Sequence, residues 1–366
     1  MQSKYLDIEK KVERGERLTF EDGVALFASH DIAWLGALAD HVRAEKCGDI
    51  VYYNVNCHVN LTNICMAHCK FCAFGRDAED AGAYEMSAAE AVAHVAEAMR
   101  DPHLAGLHVV SGLHPTWTFD DYLLRLRALH EAFPSLYLKG FTGVEITHFA
   151  HTSGLSVREV LLRLREAGLQ SIAGGGAEIL SDRVRTIICP KKATRAEWLD
   201  CMRTAHELGI RTNASMMYGH IETVEERIDH LLALRDLQDE TGGFQAFMLF
   251  PFHPENTVLG AEKKLVRVGS WEDMKMLALS RLVLDNVAHV KAFWVMLTQP
   301  IAQLALGFGA DDLDGTIGEE KIIHAAGAQT QTGITRRELD AMIREAGYVP
   351  VERDTFYQPI AAGEGA

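Results

Sequence analysis

From about residue 48 onward, short β-rich runs alternate with helical runs, and that rhythm narrows the folds open to the chain. The candidate strands are "HVNLT", "GLHVVSG", "LYLKGFTG", "LQSIAGG", "IRTNASMM", "FQAFMLF", "VKAFWVM" and "AQLALGFG". Between them lie helical patterns such as "SAAEAVAHVAEAMR", "FDDYLLRLRALHEAF", "SVREVLLRLREAG" and "TRAEWLDCMRTAHELG". Several begin with Ser or Thr, some with an acidic residue three positions on, which is how a capped helix starts. Strands spaced by helices pair in parallel through right-handed crossovers. Eight of them count out a complete TIM-type (β/α)8 barrel; an open doubly wound sheet satisfies the same α/β alternation. In either fold the loops after the strands gather at one end and carry the chemistry.

Residues 1–47 have helical spacing and read as a short N-terminal helical extension, with a break near His30 and Asp31. The barrel is expected over 48–325. Residues 326–366 are expected to form a C-terminal helix and a small-residue tail, "QPIAAGEGA", packed on the barrel.

The net charge of −15 repels phosphate backbones, which argues against a nucleic-acid partner. No uninterrupted apolar run approaches membrane-spanning length, so no membrane partner is expected either. The opening "MQSKYLDIEKKVERGERLTF" is charged throughout and lacks the apolar core of a secretory signal. The expected location is therefore the cytoplasm, where thiols stay reduced. Seven cysteines in 366 residues are no disulfide scaffold. Cys47, Cys57, Cys189 and Cys201 are scattered; only Cys65, Cys69 and Cys72 cluster.

Those three stand at CxxxCxxC spacing in "NICMAHCKFCAF", in the loop after the first candidate strand. A thiolate triad on one short loop can hold a soft metal or an iron–sulfur cluster. Structural zinc prefers a closed four-ligand shell, usually from two separated pairs, and there is no second CxxC here. His58 or His68 could complete a zinc shell, though a compact one. A zinc-stabilised binding protein without catalysis is the alternative of a different class. A cubane cluster explains the count better, because three irons take one cysteine each and the fourth is open to another ligand.

The loop resembles the cluster loop of the radical S-adenosylmethionine (SAM) enzymes, including the aromatic Phe71 just before the last cysteine. The resemblance implies a 4Fe–4S cluster on Cys65, Cys69 and Cys72. It implies SAM on the open iron and a low-potential electron donor such as flavodoxin or ferredoxin. After the second candidate strand that family often has Gly-Gly-Glu; here Ser111-Gly112-Leu113-His114 lacks the acid, so only a backbone contact to SAM near Ser111 and Gly112 carries over. Glu178, after the glycines ending in Gly176, resembles the residue that takes the ribose hydroxyls. Met216 and Met217 stand where related enzymes cover the adenine, and a core role is open to either.

Segments spread from about residue 54 to about 325 resemble a narrower branch, that of menaquinone synthesis by way of futalosine and of deazaflavin synthesis. They include "GGGAEILSDRVR", "AHELGIRTNASMMYGHIET", "FHPENT" and "GADDLDGT". "LKGFTGVEI", "CPKKATRAEWLDCMRTAHELGIRTNA" and "FMLFPFHPENT" are most similar to the aminofutalosine synthases. The futalosine-pathway cyclase, which tends to carry Gln where His253 stands, and the second half of FO synthase are the alternatives within the branch. The resemblance implies addition of a 5′-deoxyadenosyl radical to the double bond of 3-(1-carboxyvinyloxy)benzoate, attack on the ring, departure of the ether oxygen and loss of one carboxylate. SAM is then a co-substrate.

A dicarboxylate needs cations or amide donors. Lys139, Arg183, Arg185 and His253 lie at or just after strand ends and are candidate substrate contacts. Glu145 and Tyr218 are candidates for handling protons or orienting the ring; His114 and His220 are weaker ones. "GADDLDGTIG" does not match an EF-hand and is expected as a turn over the barrel mouth.

Overall fold

Hydroxyl side chains set the helix starts. Ser87 with Glu90, Ser156 with Glu159, Thr194 with Glu197 and Thr223 with Glu226 each form a reciprocal capping box. The helices so started alternate with strands in a computed structural model that describes residues 2–317 and 320–360. Residues 361–366 of the expected tail lie outside the described residues.

The described strands are β1 (Ile50–Asn54), β2 (Asn56–Asn60), β3 (Gly106–Val110), β4 (Tyr137–Gly140), β5 (Ser171–Ile172), β6 (Arg211–Tyr218), β7 (Phe244–Pro251), β8 (His289–Lys291), β9 (Asp312–Gly315) and β10 (Val349–Glu352). They pair in the order β10-β1-β9-β8-β7-β6-β5-β4-β3-β2. Every pairing between them is parallel. Only Val55 separates β1 from β2, yet β2 ends the order on one side and β1 lies one strand from the other end. The sheet therefore curls until its two ends meet on one extended stretch, 50–60. β1 pairs with β9 and β10, and β2 pairs with β3. With β1 and β2 taken as one wall and β10 set aside, eight strands ring the interior, the TIM-type (β/α)8 arrangement.

Two expectations about strands are corrected. Residues 302–309 do not form the last strand: 302–308 lie in the helix Gln299–Ala305 and the 3-10 turn Leu306–Phe308, and Gly309 caps that turn. Pro300 stands in the first turn of that helix, where its fixed φ and missing N–H are tolerated, and Ala, Gln and Leu favour helix thereafter. The last strand of the eight-stranded ring is β9, inside the segment expected to be a turn. A strand reading Asp-Leu-Asp-Gly is viable because every neighbouring acid meets a buried cation. Asp311 pairs with Arg281 at 2.5 Å, Asp312 with Arg353 at 2.6 Å and Asp314 with Lys291 at 2.6 Å. β1 and β10 are strands that the alternation did not single out.

The helices Gln2–Glu13, Phe20–Ala28 and Ile32–Cys47 precede the sheet, and the last two pack against the barrel helix Ser270–Val283. Among the described residues, no helix is long and apolar enough to cross a membrane.

Candidate active site

The cysteine loop leaves β2 and is folded by its own polar side chains. Thr62 Oγ1 donates to the carbonyl of Tyr84 at 2.6 Å and accepts from the amide of Ile64 at 3.0 Å. Asn63 holds Gly82 and Tyr84 of the same excursion at 2.9 Å each. The loop is pressed against the end of β3: a Cβ at Gly112 would sit 2.4 Å from the carbonyl oxygen of Ile64, so only glycine fits. The amide of Leu113 donates to Cys65 Sγ at 3.3 Å, and Cys65, Cys69 and Cys72 face one cavity of about 330 Å³.

This donor set suits a cluster better than a single ion. Among the described residues, no three His, Cys, Asp or Glu side chains converge closely enough to ligate one metal ion. The histidines that could complete a zinc shell are turned elsewhere. His68 faces Asp77 at 3.5 Å on the surface, and His58 lies inside the barrel against His108. Three thiols around a wider space, one already accepting an amide hydrogen bond, form the surroundings an iron–sulfur group uses.

A ledge of small residues continues from the thiols. Ser111, Gly112, Gly174, Gly175 and Gly176 line the same cavity. At Gly176, φ is 86° and a Cβ would meet Val144 at 2.7 Å. Glu178 also takes a positive φ, 48°, where its carbonyl accepts the amide of Met217 at 2.6 Å. Its carboxylate meets Lys192 at 2.7 Å, and the Lys192 ammonium lies 4.9 Å from the centre of the Phe71 ring. Lys192 was not singled out by its sequence surroundings, although "CPKK" is a cationic pair in an acidic chain. Glu145 lines the cavity beneath Ser111. Its two carboxylate oxygens accept from the amides of Ser111 at 2.8 Å and Thr142 at 2.7 Å. Burial pushes its carboxyl up to about 7 despite those hydrogen bonds.

Deeper in the barrel is a polar layer. His58 of β2, His108 of β3 and Lys139 of β4 are partners in register on three adjacent strands, and all three line the cavity. Burial and the neighbouring Lys291 pull the Lys139 ammonium down to about 7. His108 and Asp314 were not predicted as site residues, and His58 was considered only as a zinc ligand. Their signal is the strand parity that sends alternate residues inward, and it becomes visible only once the register is known.

Of the other predicted residues, Met217 and His253 line the cavity, and His253 Nε2 lies 3.1 Å from the carbonyl of Met296. Six others fall away from it. Met216 is fully buried on the opposite face of β6, as strand alternation requires. The Tyr218 hydroxyl meets Asp273 at 2.5 Å behind the strand. Arg183 is a surface residue paired with Glu226 at 2.6 Å. Arg185 is buried, with its guanidinium donating to the carbonyls of Gly176, Ala177 and Ala193, so it is a clamp beneath the glycine turn with its donors already used. His220 pairs with Glu222 at 2.9 Å. His114 is likewise held by Glu85, at 2.8 Å.

Comparison with known proteins gives the family of the chain. Residues 59–234 match the family described as the Radical SAM superfamily, and residues 241–364 match the CofH/MqnC C-terminal region. The chain is 46% identical to the aminodeoxyfutalosine synthase of Thermus thermophilus, over 97% of this chain and 95% of that protein. It is also 46% identical to the aminodeoxyfutalosine synthase of Streptomyces coelicolor, over 98% and 95%. A 5-amino-6-(D-ribitylamino)uracil–L-tyrosine 4-hydroxyphenyl transferase from Methanococcoides burtonii is 39% identical over 93% of this chain and 96% of its own length. Among solved structures, methylornithine synthase superposes with a TM-score of 0.74 over 94% of this chain and 97% of that one, at 16% identity, a likeness of fold.

Proposed function

The chain belongs to the radical SAM superfamily, in the group of the aminodeoxyfutalosine synthases, and from that membership we propose how its residues divide the work. The enzyme adds the 5′-deoxyadenosyl group of SAM to the double bond of 3-(1-carboxyvinyloxy)benzoate, and rearrangement with loss of one carboxylate yields 6-amino-6-deoxyfutalosine for menaquinone synthesis. The cluster, when bound, supplies the electron that breaks the S–C5′ bond. Cys65, Cys69 and Cys72 would hold it, with a flavodoxin or ferredoxin as electron donor in the cytoplasm.

The remaining roles belong to the chain's own groups. Ser111 and Gly112 present backbone to SAM, and Glu145 holds that backbone in place through the Ser111 amide. Gly176 and Glu178 form the ribose ledge, with Lys192 fixing the Glu178 carboxylate and Phe71 beside it. Met217 covers the base. Small residues and sulfur let the co-substrate approach the backbone closely while the surrounding apolar side chains exclude water. Addition wins over hydrogen abstraction only if the double bond is held in contact with C5′, so orientation of the substrate is the chief task of the barrel wall. Residues 1–47 then act as a helical extension, 48–325 as the catalytic barrel, and 326–366 as a C-terminal piece that contributes β10.

One observation carries this reading: the three thiols of the cysteine loop and the cationic layer around Lys139 open on the same cavity. The test is an anaerobic assay of cluster-reconstituted protein with reductant, SAM and 3-(1-carboxyvinyloxy)benzoate, read by mass spectrometry. An adenosyl adduct of the substrate less one carboxylate supports it. Free 5′-deoxyadenosine with untouched benzoate moves the protein to the cyclase or deazaflavin reactions of the same branch.

A further inference from the structure

The layer below the cysteine loop has an unbalanced charge. Five ionic side chains meet there, all nearly or fully buried: Lys139, Lys291, Arg353, Asp312 and Asp314. Lys291 is taken by Asp314 at 2.6 Å and Arg353 by Asp312 at 2.6 Å. That leaves Lys139, for which no carboxylate lies within ion-pair distance among the described residues, although Asp314 faces it across the barrel. A buried cation without a partner is costly, and one negative charge supplied from outside would relieve it. The neighbours are built to accept the same guest. His58 and His108 stand in register beside Lys139, with their rings 4.8 Å apart. The Nε2 atoms of both are buried without a hydrogen-bond partner within the protein. Burial lowers the His58 imidazolium to about 4 and that of His108 well below its usual range, so both rings are neutral and each has one N–H to give.

The substrate of the proposed reaction has two carboxylates, and this layer leaves one cation, Lys139, to meet one of them. We propose, on the basis of that reaction, that Lys139, His58 and His108 form a floor that binds the ring carboxylate of the substrate, the one kept in the product. Two arguments select it over the enol-ether carboxylate. The floor lies within the strands, below the loop that carries the thiols, whereas the double bond must lie at the SAM end. The ring carboxylate is the end remote from that bond. In addition, a cation in contact with a carboxylate stabilises its anionic form and opposes its loss. The carboxylate that leaves therefore belongs beside the apolar wall of Met217, Met248, Phe250 and Phe293, away from the ammonium.

The experiment compares wild type, Lys139→Met and Lys139→Arg, each cluster-loaded and anaerobic. Three ligands are used: the full dicarboxylate, 2-phenoxyacrylate (no ring carboxylate) and non-reacting 3-methoxybenzoate (ring carboxylate only). Affinities are read by calorimetry and products by mass spectrometry. Lys139→Met is expected to weaken the dicarboxylate and 3-methoxybenzoate by about 10- to 100-fold, the span of a charged hydrogen bond. It should change 2-phenoxyacrylate by less than about twofold, and Lys139→Arg should recover part of the lost affinity. Equal weakening of all three ligands, or of 2-phenoxyacrylate alone, overturns the assignment, as does no change in any. If wild type forms no adenosyl adduct, the reaction itself is wrong, and the 3-methoxybenzoate comparison still decides whether the floor binds an aryl carboxylate.

Discussion

Glu145 accepts the amide proton of Ser111 at 2.8 Å, and this one hydrogen bond ties the loop after β3 to the helix Gly143–Ser153 that follows β4. Because its other oxygen caps that helix through Thr142, a single buried carboxylate fixes two segments of the cavity wall. Glu145→Gln retains the shape but has only one acceptor oxygen for two amides. Its KM for SAM should rise about three- to tenfold, with less effect on the KM for the dicarboxylate. The folded carboxyl sits near 7 against an ordinary 4.5. Its contribution to stability is therefore full below about 4.5 and is lost as pH rises through about 7. Thermal unfolding scans should show wild type losing Tm over that interval relative to Glu145→Gln; parallel curves would show that the carboxyl does not titrate there.

Lys139 makes substrate binding pH-dependent. The groups facing it are His58 and His108 on β2 and β3, Lys291 on β8, Asp312 and Asp314 on β9, and Arg353 after β10. With the free ammonium near 7, the site is charged at pH 6 and mostly neutral at pH 8.5. An anion favours the charged form, so binding at pH 8.5 should take up close to one proton and binding at pH 6 almost none. Calorimetry in two buffers of different ionisation enthalpy measures this directly. Lys139→Arg, always charged, should abolish the difference.

Glu178 and Lys192 are expected to act as a unit. Each is mostly buried, and removing one leaves the other uncompensated. Glu178→Gln and Lys192→Met should each raise the KM for SAM at least about tenfold, and the double variant should lose less than the two effects combined. Strict additivity would show that the ion pair does not act on SAM.

Arg185 and Arg183 separate structure from surface. Arg185→Met leaves the carbonyls of Gly176, Ala177 and Ala193 without their donor and should cost about 2–4 kcal/mol in denaturant unfolding. Arg183→Ala breaks an exposed pair with Glu226 and should cost under about 1 kcal/mol, with kcat and both KM values unchanged.

Loss of any one of Cys65, Cys69 and Cys72 to Ala should abolish the brown chromophore of the reconstituted protein and its turnover together. Cys201→Ala, at a buried thiol outside the cavity, should keep both. A colourless but active triad variant would remove the cluster assignment.

Much of the architecture is legible because it is local. A strand-helix rhythm is written in periodicity over ten or so residues, and three cysteines within eight positions announce soft-ligand chemistry before any tertiary contact forms. β9 was hidden because its acids look like a turn until Arg281, Lys291 and Arg353, brought in from other parts of the chain, neutralise them. Arg183 and Arg185, two residues apart and alike by position, part company because one faces solvent and the other faces the underside of the glycine turn.

The local code thus reaches as far as the element types, the cluster loop and, through resemblance, the reaction. Which side chains share the cavity follows from register and curl: His58, His108 and Lys139 are separated by 50 and 31 positions in the chain and become neighbours only when β2, β3 and β4 pair. The same holds for charge. The strengths of Lys139, Glu145 and Asp314 as acids or bases depend on burial and on partners that the folded barrel supplies, and no window of sequence contains either.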